Sequence, residues 1–168
     1  MGMKPENDKV FTDTNFAKRI IDYFDPQGIC YDPCRGFETD KSGKLGGAFY
    51  NNLPEPKHWS EIEEGKDCVD FNEKVNWTFT NPPFSSKAYR KVSEHCFSIS
   101  DNVVLLVRFD VALGTYARQN DFKKHNMGLK EIINVSYKDA GFAQRGFILA
   151  VIHWEKNYTG DCKFSEWK

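Results

Sequence analysis

Asn102 to Phe109, "NVVLLVRF", is an almost uninterrupted apolar run of strand length. A strand with one wet face alternates apolar and polar residues, whereas a continuous run marks a strand covered on both faces, the condition inside a parallel sheet. A chain with such a strand must supply helices for both sides. Phe16, Ala17, Ile20, Ile21 and Phe24 recur on one helical face, with Asp13 or Thr14 as N-cap and Asp25-Pro26 as the stop. Ala88, Val92, Cys96 and Ile99 repeat in the same way after a cap at Ser85 or Ser86.

Further strands are predicted at "GICYD" (Gly28 to Asp32), "HWSEI" (His58 to Ile62) and "NWTFT" (Asn76 to Thr80), with a brief helix in "GAFYNNLP". Two later strands, "EIINVSY" and "GFILAVIHW", are joined by the loop "KDAGFAQR", short enough for an antiparallel hairpin. The resulting expectation is an α/β three-layer sandwich. Its twisted sheet is mostly parallel, with an antiparallel strand near the C-terminus.

With 168 residues and 40% hydrophobic content, a single domain over 1–168 is expected. Residues 110–128, "DVALGTYARQNDFKKHNMG", have no clear period and leave room for a small recognition insert. No apolar run reaches the roughly 18 residues of a membrane span, and no signal region opens the chain, so a soluble cytoplasmic protein without membrane association is expected. Cys30, Cys34, Cys68, Cys96 and Cys162 show no CxxC spacing and the histidines no HExxH spacing. Reduced thiols and no metal are therefore expected.

The net charge of −1 is unevenly spread: residues 85–130 carry 8 basic against 4 acidic groups. Lys87, Arg118, Lys123 and Lys124 in that stretch are candidates for phosphate contact.

In an open α/β sheet, ligands bind beyond the carboxyl ends of the strands. Asp32-Pro33-Cys34-Arg35-Gly36, the acids Glu61, Glu63 and Glu64, Asp67, and Asn81-Pro82-Pro83-Phe84 all fall at such ends. The paired prolines make "TNPPF" extended and stiff, since each fixes φ, lacks a donor and restricts its predecessor. They hold the Asn81 side-chain oxygen and the Pro82 carbonyl as two preset acceptors. A conjugated exocyclic amine donating to both would be held with its lone pair aimed at an electrophile. Phe84 adds a face on which a base stacks. Attack on a carbon electrophile makes such a nitrogen acidic, so no strong base is required and Asn suffices.

"FTDTNFAKRII", "YDPCRG", "HWSEIEEGKDC" and "TNPPF" together resemble the S-adenosylmethionine-dependent amino-group methyltransferases, most of all the small phage-type DNA adenine-N6 enzymes. The resemblance implies a Rossmann-like methyltransferase fold. It implies that Thr12 and Phe16 belong to a segment closing over the methionine end, and that Asp32, Pro33, Cys34 and Gly36 form the first half of the glycine-rich cofactor motif. It further implies Glu61 at the ribose, with Glu63 and Glu64 as competitors, Asp67 at the cofactor's adenine ring, and Asn81, Pro82, Pro83 and Phe84 as the catalytic (D/N/S)PP(Y/F) tetrapeptide.

The chain departs from the D-P-x-x-G-x-G pattern: Gly36 precedes Phe37 and Glu38, and "GGAFYNNLP" follows about ten residues later. "FETDKSGKL" reads as an insertion, with Gly46 or Gly47 in place of the displaced glycine. The resemblance implies adenine in DNA as substrate, nucleic acid as partner, and target recognition that is short or borrowed from a partner subunit. RNA adenine, a protein glutamine and a non-catalytic binding module are the competing expectations.

Overall fold

The computed structural model describes residues 10–36, 46–143 and 146–167. The proposed insertion "FETDKSGKL" falls at 37–45, outside them. In chain order the elements are α1 (Thr14–Phe24), β1 (Cys30–Asp32), α2 (Ala48–Asn52), β2 (Lys57–Trp59), β3 (Val75–Thr80), α3 (Ser86–Ile99), β4 (Ser100–Arg108), α4 (Phe109–Leu113), α5 (Tyr116–Lys123), β5 (Met127–Val135), β6 (Leu149–Lys156) and β7 (Lys163–Glu166). Two single 3₁₀ turns, Ile62–Glu64 and Cys68–Asp70, lie between β2 and β3.

The seven strands form one sheet in the order β2-β1-β3-β4-β6-β5-β7. β2, β1, β3 and β4 run parallel, β6 is antiparallel to both β4 and β5, and β7 adds in parallel beside β5. The expected sandwich is present, and β4 shows why. Val103, Leu105 and Val107 pack with α3, α4 and α5, while Val104 and Leu106 pack with α1 and α2, so each face of the strand meets a helical layer. The apolar run is the trace of two cores sharing one strand.

The helix boundaries follow local chemistry. Asp13 is the N-cap of α1, its carboxylate accepting from the amides of Asn15 and Phe16, and Asp25 closes the helix in the left-handed region at φ 44°. Ser85 is the cap residue of α3, with the two prolines directly upstream.

Several strand limits differ from the expectation. β1 starts at Cys30 because Gly28, at φ 90°, turns the chain. β2 ends at Trp59, after which Ile62 is 66% exposed: an apolar residue here faces outward, so the predicted "HWSEI" is cut short. β5 begins at Met127 and ends at Val135, with a register shift between Leu129 and Glu131. β6 begins at Leu149, leaving Phe147 and Ile148 about half exposed before it. No helix among the described residues is long and apolar enough to cross a membrane.

Candidate active site

The carboxyl ends of β1, β2 and β3 share one rim, and the loops beyond them enclose a cavity of about 390 Å³. This lies within the range of small-molecule sites. Asp32, Pro33, Cys34, Gly36, Glu61, Asp67 and all of Asn81 to Phe84 line it, together with Thr12 from the segment before α1. Four loops that the sequence separates by up to 70 residues thus meet in one place.

Asp32 ends β1 and is 2% exposed. Its Oδ1 accepts from the Thr80 hydroxyl at 2.8 Å and the Cys34 amide at 3.2 Å, and its Oδ2 accepts from the Tyr50 amide at 3.2 Å. Burial pushes its carboxyl up to about 7, against the pull of the Thr80, Cys34 and Tyr50 donors. The neighbouring Glu61 raises it further. Burial also pushes the adjacent Cys34 thiol well up, so it is a protonated, unreactive lining group.

The split glycine motif is rejoined in space. Gly47 donates its amide to the Arg35 carbonyl at 2.7 Å, and a Cβ on Gly36 would stand 3.7 Å from the Gly46 Cα and 3.3 Å from the Phe11 ring. Gly36 itself sits at φ 68°, where only glycine is unstrained. The two glycine segments therefore touch and line one wall.

Among the competing acids, geometry separates the three. Glu61 is 8% exposed, lines the cavity, and accepts from the Gly36 amide at 2.7 Å and the Glu63 amide at 3.1 Å. Glu64 is taken by an ion pair with Arg35, whose guanidinium also lies 3.6 Å over the Trp59 ring. Glu63 is exposed on the cavity's edge. Asp67 caps the second 3₁₀ turn through the Val69 amide and pairs with Lys91 of α3. The Lys91 hydrogen bond holds Asp67 below the usual carboxylate range.

Asn81 follows β3 directly. Its Nδ2 donates to the Val10 carbonyl at 2.7 Å. A carbonyl can only accept, so the amino end of the amide must face Val10 and the side-chain oxygen takes the opposite direction. Pro82 is buried beside it, and the half-buried Phe84 meets Phe142 edge to face at 6.2 Å.

Not every candidate reaches the cavity. Phe16 is turned into the core of α1, edge-on to Trp167 at 6.1 Å, and does not line the cavity. Lys87 and Lys123 are exposed and do not line it. Lys124 pairs with Asp121 at 3.3 Å and Glu94 at 3.8 Å. Arg118 donates to the Ser86 carbonyl at 2.9 Å and to its hydroxyl, and lies 5.3 Å from the Tyr89 ring. In the 110–128 stretch, Phe122 of α5 is buried against Phe97 and Trp154, so this segment is packed on α3 and the sheet.

Phe11, Phe49, Ile62, Cys68 and Lys91 also line the cavity, beyond the site residues expected from the sequence. Lys91 was within reach of pattern reasoning: Ala88, Lys91 and Val92 share a helical face at i, i+3 and i+4, and all three line the cavity.

No protein-family model and no curated protein matches the sequence. Solved structures do match in shape. A protein from Listeria monocytogenes described as a class I S-adenosylmethionine-dependent methyltransferase superposes with a TM-score of 0.63 at 12% identity, over 98% of this chain and 67% of that one. A protein described as a modification subunit of a type I restriction enzyme from Vibrio vulnificus YJ016 gives 0.60 at 10% identity, over 96% of this chain and 48% of that one. One described as an RNA methyltransferase from Pyrococcus horikoshii gives 0.52 at 15% identity, over 85% and 83%. The chain thus spans about half the length of the Vibrio protein. At these identities the likeness establishes the fold, and the molecule has a Rossmann-like methyltransferase fold.

Proposed function

We propose that this chain transfers a methyl group from S-adenosylmethionine to the exocyclic amino group of adenine in DNA. The observation that carries the proposal is the orientation of Asn81. Its amide is anchored through Nδ2 on Val10, which leaves Oδ1 as the acceptor end of a residue lining the cavity with Asp32, Glu61 and Asp67.

The residues fit the cofactor. Thr12 lines the cavity and is 4% exposed, and its buried Oγ1 has no hydrogen-bond partner among the described residues. A buried hydroxyl left in that state calls for a polar ligand atom. Glu61 has lone pairs beyond the two that its amide donors use, enough for a pair of ribose hydroxyls. The exposed apolar Ile62 and the carboxylate of Asp67 would flank a purine ring, one by packing and one by accepting its amino group.

When bound, S-adenosylmethionine supplies a methyl carbon activated by its sulfonium. Asn81 Oδ1 and the Pro82 carbonyl each accept one N–H of the target amine, which favours a pyramidal nitrogen with its lone pair free. Pro82 and Pro83 fix these acceptors before the target arrives, so little reorganisation is left for the reaction. Phe84 stacks on the base, which in duplex DNA must be flipped out. The nitrogen's proton becomes acidic on alkylation and leaves to water, so Asn81 holds no proton.

Exposed Lys87 and Lys123 are the best placed cations for phosphate contact, with Lys124 and Arg118 beside them already engaged by protein partners. The likeness to a protein described as a modification subunit of a type I restriction enzyme supports target recognition shared with a partner subunit. Adenine in RNA is the second reading, supported by the coverage of the Pyrococcus protein. Incubation with methyl-labelled cofactor and separate DNA, RNA and protein pools tests the proposal: label in DNA adenine is expected. Label confined to RNA favours the second reading, and label confined to protein or cofactor binding without transfer contradicts both.

A further inference from the structure

Thr80 is the residue at which the cofactor side and the target side of the cavity touch. It ends β3, is fully buried, and donates Oγ1 to Asp32 Oδ1 at 2.8 Å, and Asn81 is the next residue in the chain. A buried hydroxyl needs a partner in any case, as Thr78 of the same strand shows by pairing with the Ser100 hydroxyl of β4 at 2.7 Å. Thr80 differs from Thr78 in what it meets. Its partner is a carboxylate whose other donors, the amides of Cys34 and Tyr50, are backbone groups of the cofactor loop and α2.

The surroundings leave this bond unusual weight. Of the charged groups near Asp32, Glu61 at the end of β2 is itself an acid, Arg35 is drawn to Glu64, and Lys91 of α3 is drawn to Asp67. Among the described residues, Glu61 and the Cys34 and Cys96 thiols are the titratable groups that interact with its charge. Thr80 is thus the one side-chain donor to Asp32 among the described residues. A hydrogen bond to an ionised carboxylate is roughly twice as strong as a neutral one. A β-branched side chain fixed at χ1 also fixes the backbone that leads to the next residue.

We infer that Thr80 is a positioning residue coupling the Asp32 carboxylate to the Asn81 acceptor, so that occupancy of either half of the cavity tightens the other by the same factor. The inference rests on the reading of Asp32 as a cofactor contact and Asn81 as a target contact. An ionised, ligand-facing Asp32 holds the Thr80 hydroxyl, and Thr80 holds the start of the double-proline turn. A target amine bound at that turn holds Thr80 and Asp32 in return.

Thr80→Val removes the hydroxyl at nearly constant volume, and Thr80→Ser keeps it. Carboxyl NMR titration of Asp32 in the cofactor-free protein is expected to show a higher midpoint in Thr80→Val, because a donor favouring the ionised form is gone, and a near-original midpoint in Thr80→Ser. Calorimetric titration with S-adenosylmethionine is expected to show about tenfold weaker binding for Thr80→Val, the factor for one charge-assisted hydrogen bond, with recovery in Thr80→Ser. Repeating the titration with an adenine-containing oligonucleotide present is expected to tighten the original protein and leave Thr80→Val nearly unchanged. If Thr80→Val does not fold, Thr80→Ala, which also lacks a donor, carries the same comparison. A valine variant with unaltered affinity, or with weakened affinity and full oligonucleotide coupling, overturns the inference alone. An original protein that binds no S-adenosylmethionine overturns the functional reading and this inference with it.

Discussion

The cavity rim of the parallel strands and the antiparallel side with α5 each bury two acids, and treat them differently. Glu131 of β5, 8% exposed, has Lys163 of β7 at 2.7 Å and accepts from the Tyr23 hydroxyl at 2.8 Å. Asp121 of α5, 2% exposed, pairs with Arg90 at 2.7 Å; burial alone would raise it, but its Arg90 and Lys124 partners hold it below the usual range. Asp32, equally buried at the carboxyl end of β1, has only neutral donors and is pushed up to about 7. An acid that serves the fold is given a cation, because an unpaired buried charge is costly. An acid left without one marks a place kept for a ligand.

Breaking the site half should remove chemistry, and breaking the other half should remove stability. The largest effect is expected for Asn81→Ala, which deletes one acceptor: single-turnover methyl transfer should fall by about 10²–10³-fold, the usual cost of one such polar contact, while cofactor affinity stays within about twofold. Asp32→Asn should weaken S-adenosylmethionine by about 10–100-fold in calorimetry, since Asn offers an N–H where the Tyr50 amide needs an acceptor.

The same pair sharpens the comparison through pH. Asp32 has an ordinary value of 3.8 and a folded value of about 7, so between those values the folded protein keeps a proton that the unfolded chain has lost. Its contribution to stability is therefore largest in acid and falls as pH rises through this window. Thermal unfolding should show the original protein gaining on Asp32→Asn as pH drops from 8 to 5. Cofactor affinity should move oppositely, weakening below about pH 7 in the original protein.

Glu131→Gln breaks the antiparallel half. It should lower stability by about 1 kcal/mol through the weakened Tyr23 hydrogen bond, seen as a lower urea midpoint, with cofactor affinity unaltered. The smallest effect is expected for Lys87→Ala and Lys123→Ala. Each should reduce the salt dependence of DNA binding by about one counterion in filter binding, without changing cofactor affinity.

The same contrast explains what could be read from the sequence. The apolar run of β4, the face of α1 and the double proline after β3 carry their structure locally, so period and backbone chemistry revealed them. β7 did not: "KFSE" is a four-residue edge strand with exposed, intermediate and charged side chains, held through the remote partners β5 and Tyr23. α5 was equally silent because only Asp121 and Phe122 of its eight residues are buried, too few for a period. At the site, residue types and strand ends were legible, but selection among Glu61, Glu63 and Glu64 depended on Arg35 capturing Glu64 across 29 positions. The direction of the Asn81 amide depended on Val10, 71 positions away.

Methyl transfer itself is the most direct test. The protein and its Asn81→Ala variant, each first shown to bind S-adenosylmethionine, are incubated with methyl-labelled cofactor and adenine-containing duplex DNA, which is then digested to nucleosides. The account predicts label in N6-methyl-2′-deoxyadenosine from the original protein and at least a hundredfold less from the variant. Equal labelling by both proteins, or cofactor binding with no labelled adenine from either, would contradict it.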